Sequence, residues 1–471
     1  MNYSMRQNLV LTIIVLGTLM ASVDTTIVLL ALPTITVDLK TNLYTSIWVL
    51  LSYLLVQAVI STQAGRIGDI FGRSKIYNLG FALFTVASAL CGLSTSIDLL
   101  IFFRVIQALG GSLISSNGTA LIADLFSPSS RGRAYGLTAL GWNIGALIGI
   151  VLGGILTTLL GWQYIFYINV PIGIFAILVG LREIKDVNPT RSKLDVTGSG
   201  ILALILFFIS YGLVTIAGVG VNPTDLFYVI LGLALLPLFV FNEMRVEKPI
   251  INLKLLKIRL LSLSLYALFF QGIGGLSLTF LLIMYLQGVK GLSPLYASLV
   301  LVPGYIVASV LSPIVGKRTE RTKPGLLASL GLLVTLASLI LYFALLTPYS
   351  SPYLVSAIST VTGIGSSLFW PSNNTAIMFS APREYYGGVS GLARTFSSIG
   401  TVLSYVISIT VASLSIPRYV AFEIFLGTSS LDKKTMVFFT EGLHFAFLVS
   451  SLFILISLVL SALTIFIKVK N

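Results

Sequence analysis

The chain has 471 residues, 56% of them hydrophobic and only 10% charged. An average soluble domain carries about 25% charged residues, so this composition excludes a soluble globular protein and points to a polytopic membrane protein. A net charge of +13 would suit a nucleic-acid binder, but the bases are scattered through short segments between apolar runs and read instead as topology signals.

The first apolar run, 9–33, is long enough to cross a hydrocarbon layer of about 30 Å at about 1.5 Å per residue. It is too long for a secretory leader and has no small-residue cleavage site, so it should stay as a spanning helix. Its only charge is Asp24. An ionised carboxylate at that depth costs several kcal/mol or more, so it should face a watery cavity or a partner. The bland alternative is an acid that hydrogen-bonds Thr25 or Thr26 and pins helix packing, which a neutral Asn would do at lower cost.

Further runs of spanning length follow at about 45–64, 76–95, 99–123, 134–159, 164–181, 196–219, 226–242, 260–288, 295–316, 325–347, 352–380, 386–413 and 443–467. The pattern predicts an all-α polytopic membrane protein with 14 transmembrane helices. With the N-terminus inside, 22 Lys and Arg fall in inner segments and 5 in outer ones, the bias expected when both termini are cytoplasmic. Dropping any one helix would scramble that alternation. Arg104 and Arg394 lie within spans; Arg394, about eight residues into the thirteenth, is expected to snorkel to the inner surface.

Single Cys91 excludes a disulfide within the chain, and single His444 leaves no zinc site or Ser/His triad, so no enzyme is expected. No phosphate-binding loop appears either. Two connections look like copies: Gly65-Arg66-Ile67-Gly68-Asp69-Ile70-Phe71-Gly72-Arg73-Ser74-Lys75 after the second helix, and Gly316-Lys317-Arg318-Thr319-Glu320-Arg321-Thr322-Lys323 after the tenth. Such repetition marks a transporter made of two similar bundles around a central site. The spacing predicts a six-helix bundle over 1–190, two inserted linker helices over 191–250 and a second six-helix bundle over 251–471.

The segment Gly65 to Lys75 closely resembles the signature loop of the major facilitator superfamily, in which glycines allow a sharp turn and Asp69 pairs with Arg73 or caps a helix. Ser22-Val23-Asp24-Thr25-Thr26 with Ala31-Leu32-Pro33 resembles the first-helix motif of its fourteen-helix drug:proton antiporters. Arg104 to Gly111 is similar to the fourth-helix motif; Gly161 to Phe166 with Asn169 to Gly173 resembles the entry to the sixth helix. Tyr285-Leu286-Gln287 with Gly291 to Pro294 resembles the ninth-to-tenth connection. The antiporter motif of the fifth helix departs: Gly149-Ile150-Val151-Leu152-Gly153-Gly154 lacks its proline, although Gly141, Gly145, Gly149 and Gly153 keep a small stripe suited to close packing.

The resemblance implies a major facilitator fold of 14 helices in the cell membrane, a secondary active transporter that moves a small organic substrate by alternating access, with lipid and protons as partners, no nucleic acid, a single copy as the working unit, and no cofactor beyond a proton gradient. Counted from the helix ends, Asp24 and Arg104 fall at similar depth in the outer half. Asp24 is then the expected proton-binding carboxylate, tuned by Arg104 and by a polar chain through Gln107. Gly65, Gly68, Asp69, Gly72 and Arg73 form the expected conformational gate; Glu320 and Arg321 mirror it as a weaker latch, and Asp124 pairs with Arg131 or Arg133. Trp48, Tyr53, Gln57, Asn143, Gln271, Tyr285, Gln287, Trp370, Asn373 and Asn374 are candidates for the cavity lining. An apolar cavity with a few amides, aromatic faces and one carboxylate suits amphipathic organic molecules, including lipophilic cations, and the resemblance implies their proton-coupled efflux. The alternative is an importer or a metabolite exporter for sugars, organic acids or siderophore-like solutes.

Overall fold

The computed structural model describes residues 3–126, 128–184, 194–247, 249–319, 322–380, 386–414 and 433–467. Among these residues the secondary structure is helical, and fourteen helices are long and apolar enough to cross a bilayer. In lipid every backbone polar group must be satisfied within the segment, which a helix achieves alone. They are α1 (Tyr3–Asp38), α2 (Trp48–Phe71), α3 (Arg73–Gly92), α4 (Ile97–Leu125), α5 (Pro128–Leu159), α6 (Asn169–Glu183, preceded by a turn at Tyr164–Tyr167) and α7 (Val196–Val219). Next come α8 (Pro223–Ala234, resuming as Leu236–Arg245) and α9 (Arg259–Gly275, resuming as Leu278–Met284 and a wide π turn, Tyr285–Val289). The last are α10 (Pro294–Thr319), α11 (Pro324–Leu345), α12 (Pro352–Ser380), α13 (Tyr386–Leu414) and α14 (Lys433–Ile465).

Local sequence sets several boundaries. Ser96 accepts from the Leu99 amide to start α4, Asp195 from Gly198 to start α7, and Asn222 from Asp225 to start α8, where Pro223 occupies a position whose N–H would go unused. The break in α8 precedes Pro237, which has no N–H and crowds the preceding turn.

The signature segment is the sharp connection that its glycines imply. Helix α2 runs on through Phe71, Gly72 alone breaks the helix, and α3 starts at Arg73. Gly72 has φ 102°, ψ 121°, a region nearly reserved for glycine. Gly72→Ala is therefore expected to lower stability by about 1–3 kcal/mol, read as a lower thermal midpoint in detergent; an unchanged midpoint would refute this role. Gly68 is constrained by proximity instead, since a Cβ there would run into Asn117 Oδ1 on α4. Gly65 is under neither constraint: its Cβ would meet only Ser116 Cβ at 3.9 Å.

Helix α1 packs along α5 through the small stripe. Gly141 lies against Val15, Gly145 against Leu19 and Ser22, Gly149 against Val23 and Thr26, and Gly153 against Ile27 and Leu30. Ser22 Oγ donates to the Trp142 carbonyl at 2.7 Å across the same contact. The neighbouring Gly154 points away from α1 and toward α10, where its Cβ would meet Leu295 Cα at 2.9 Å. The Leu295 amide also donates to Thr158 Oγ1 at 3.2 Å, so α5 touches both α1 and α10 near its Leu159 end.

A second seam joins α2 and α13, where the hydroxyls of Thr62 and Thr395 lie 2.8 Å apart. The pair α7 and α8 rests on this seam. Leu202, Ile205, Leu206 and Phe239 bury against Ala58 and Val59 of α2, and Thr410 Oγ1 of α13 donates to the Leu213 carbonyl at 3.0 Å. Polar contacts fasten the other end: Gln63 Nε2 donates to the Asp195 carbonyl at 3.1 Å, and Arg66 Nη2 to the Pro249 carbonyl at 2.8 Å.

Candidate functional site

The two charges that the sequence places at similar depth meet inside the protein. Arg104 Nη1 of α4 donates to Asp24 Oδ2 of α1 at 2.6 Å, and both side chains are 0% exposed. Arg104 and Gln107 sit three residues apart, on one face of α4, so the amide reaches the same carboxylate. Arg104 Nη1 donates to Gln107 Oε1 at 2.6 Å, and Gln107 Nε2 donates to Asp24 Oδ1 at 2.9 Å, closing a ring of three side chains.

Surrounding groups hold that ring in place. Ser88 Oγ of α3 accepts from Gln107 Nε2 at 2.7 Å, Asn169 Nδ2 of α6 donates to Asp24 Oδ1 at 3.4 Å, and the Val49 carbonyl of α2 accepts from Arg104 Nε at 2.9 Å. The Tyr53 ring covers the guanidinium, 4.2 Å from centroid to Cζ, with Phe166 farther off at 5.7 Å. Five helices thus supply groups to one carboxylate and its counter-ion. The alternative role for Asp24, bonding to adjacent threonines, is not what the structure shows: Thr25 Oγ1 donates to the Ala21 carbonyl and Thr26 Oγ1 to that of Ser22.

A buried ion pair is weak evidence for stability, because removing two charges from water costs several kcal/mol each, whereas losing one partner is strongly destabilising. Such a pair is a poor choice for packing alone. It suits a switch whose charge can be cancelled by a proton. Beside the ring, the Tyr53 hydroxyl accepts from Gln57 Nε2 at 3.1 Å, and Gln57 is only partly buried.

The signature segment makes its own pair. Arg73 Nη2 lies 2.8 Å from Asp69 Oδ1, and Arg73 Nη1 lies 2.7 Å from Asp124 Oδ1 at the end of α4. Asp124 therefore pairs with Arg73, a partner the sequence reading assigned to Asp69 alone. Glu320 and Arg321, the expected second latch, lie outside the described residues.

The candidate cavity residues divide. Gln57, Asn143 and Trp370 are partly exposed and Asn374 is exposed, as lining residues would be. Tyr53 is fully buried and belongs to the charge cluster. Four others are structural. Trp48 lies across Phe207 and Tyr211 of α7, with ring centroids at 5.9 and 6.3 Å. Tyr285 Oη donates to the Thr347 carbonyl at 2.6 Å, between α9 and the α11–α12 connection. Gln287 Nε2 donates to the Leu30 carbonyl at 3.1 Å and so ties α9 to α1. Asn373 Nδ2 donates to the Ser264 carbonyl at 3.2 Å and is buried. Gln271 is buried as well. Side-chain type predicted polarity but not the face on which each residue would fall.

Ser88 and Asn169 are the site residues that sequence reasoning missed. Asn169 stands in the motif at the entry to α6 and could have been picked out there; Ser88 lies in an apolar run and carries no such signal. The motif residue Trp162 has a different task. Its Nε1 donates to Asp38 Oδ2 at 2.6 Å, which fastens the α5–α6 connection to the end of α1.

A family model described as Major Facilitator Superfamily matches residues 14–405. The chain is 32% identical to the riboflavin transporter RibZ of Clostridioides difficile over 81% of its own length and 83% of that protein. It is 30% identical to a tetracenomycin C resistance and export protein of Streptomyces glaucescens, over 82% of this chain and 72% of that one. Among solved structures, a bacterial homologue of the human lysosomal transporter Spinster, in an inward-facing and unoccupied conformation, matches with a TM-score of 0.70 at 18% identity, covering 98% of this chain and 97% of that one.

Proposed function

The chain belongs to the major facilitator superfamily, and we propose that it is a proton-coupled exporter of hydrophobic or amphipathic organic compounds in the plasma membrane, working as a monomer with both termini in the cytoplasm. The observation that carries the reading is the fully buried ring of Asp24, Arg104 and Gln107, a carboxylate whose charge is balanced by one cation. Protonating Asp24 would cancel its side of the pair and free Arg104 and Gln107 to find other partners. The helix that would then shift is α1, which packs through glycines on α5, and α5 reaches α10 through Gly154. A proton at Asp24 thereby gains mechanical leverage on the contact between the first six helices and the last six.

In the cycle, Asp24 takes a proton while the central space faces outward and substrate departs. The neutral carboxyl lets the helices rock inward; there the proton leaves to the cytoplasm, the pair with Arg104 re-forms and substrate binds again. The export direction draws support from the tetracenomycin relative, whose name states resistance and export. A second reading, a carrier for one heteroaromatic solute, draws support from the riboflavin transporter relative.

The test is transport in proteoliposomes under an imposed pH gradient, with a panel of lipophilic dyes plus riboflavin, comparing the wild type with Asp24→Asn. Gradient-dependent movement that the substitution abolishes is expected. Full gradient-driven transport by Asp24→Asn would remove Asp24 from the coupling, and movement of riboflavin alone would favour the second reading.

A further inference from the structure

One cation in the spans is left unused by this mechanism. Arg394 lies on α13 and is half-buried, and no carboxylate among the described residues pairs with it. Among the described residues it forms no ion pair, in contrast to Arg104 and Arg73. It is not sealed in, however: Arg394 keeps part of its surface accessible, as do Gly391 one turn before it and Ser398 one turn after, so the three form an accessible stripe on one face of α13. A Cβ placed on Gly391 would meet nothing within 4 Å, so open space continues beside that face.

Two further contacts fix where this stripe points. Thr395, the next residue, meets Thr62 of α2, and Phe396 stacks edgewise on Phe269 of α9 at 6.0 Å. Arg394 therefore sits on the turn of α13 that touches α2 through Thr395 and α9 through Phe396, on a different side of the helix from Phe396. A guanidinium with no counter-ion among the described residues gains by meeting an anionic group. Its planar fork of donors matches a carboxylate or phosphate better than any other ligand group.

We propose that Arg394 anchors the anionic group, a carboxylate or phosphate, of an amphipathic solute whose apolar body rests in the same central space. The proposal rests on the reading of the chain as a transporter of amphipathic compounds and names a charge class within it. The same chemistry could be offered by the headgroup of an anionic lipid, and the test separates the two sources.

The experiment measures equilibrium binding of pyrenebutyric acid, a carboxylate-bearing dye, and of its neutral methyl ester to purified protein in phosphatidylcholine nanodiscs, with and without phosphatidylglycerol. Wild type, Arg394→Gln and Arg394→Lys are compared. A charge-assisted hydrogen bond contributes about 1.5–3 kcal/mol, so the wild type should hold the acid at least about tenfold tighter than the ester. Arg394→Gln should lose that preference while keeping its affinity for the ester, which also certifies its fold, and Arg394→Lys should keep part of it. Equal affinity for acid and ester in the wild type, or a preference that survives Arg394→Gln, would overturn the proposal. So would loss of the acid preference in the wild type whenever phosphatidylglycerol is present, because the lipid would then be the occupant. Ester transport under a pH gradient is followed in parallel: its absence in the wild type counts against the transport reading, whereas its presence without Arg394-dependent acid binding counts against this proposal alone.

Discussion

Arg104→Leu should be the most damaging single change in the protein. It removes the counter-ion from a carboxylate that is 0% exposed and strips Gln107 Oε1 and the Val49 carbonyl of their donor at the same time. Breaking one partner of a buried pair costs about 3–5 kcal/mol, so the purified variant should unfold at a clearly lower temperature and show no gradient-driven transport. Asp24→Asn should cost stability as well, since it leaves the buried Arg104 cation without its counter-ion, an effect offset in part by Gln107 Oε1, the Val49 carbonyl and the Tyr53 face. The double change Asp24→Asn with Arg104→Gln should regain much of the lost stability and none of the coupling, since no charge is then left unpaired. A double variant as unstable as Arg104→Leu would mean that shape rather than charge balance governs this cluster.

The second large effect is expected at Gly149. A Cβ there would meet Thr26 Oγ1 and would lie 2.9 Å from the Val23 carbonyl oxygen, on the turn of α1 that carries Asp24. Inserting carbon into a well-packed contact costs about 1–3 kcal/mol, so Gly149→Ala should lower the thermal midpoint and Gly149→Leu should do so further. Because α1 must part from α5 to admit the side chain, transport should fall more than stability does. Adding Thr26→Ala to Gly149→Ala should restore only part of the activity, since the carbonyl contact with backbone remains and cannot yield as a side chain can. Transport by Gly149→Leu at the wild-type rate would show that α1 and α5 do not need this closeness in any state of the cycle.

Much of the site was legible because its signals are local or one-dimensional. Asp24 and Arg104 announced themselves as charges in apolar runs, and their depths followed from counting residues along helices of fixed rise. The stripe of Gly141, Gly145, Gly149 and Gly153 predicted a close helix contact, though not that its partner would be the helix bearing Asp24. Depth along an axis leaves rotation about that axis open. Trp48 and Gln57 share one helix, yet Trp48 turns to α7 and Gln57 to the Arg104 cluster through Tyr53.

The sequence by itself therefore determined the solvent, the number of spanning helices and the charged residues that would need partners, because the transfer of apolar and charged groups into lipid is nearly a sum over residues. Tertiary structure decided which groups would meet. Ser88, Asn169 and the Val49 carbonyl come to the ring of Asp24, Arg104 and Gln107 from three different helices, Asp124 finds Arg73, and Gly391 of α13 borders open space. Those meetings depend on how helices rotate and cross when small residues let their backbones approach, a property of pairs of helices that no single span contains.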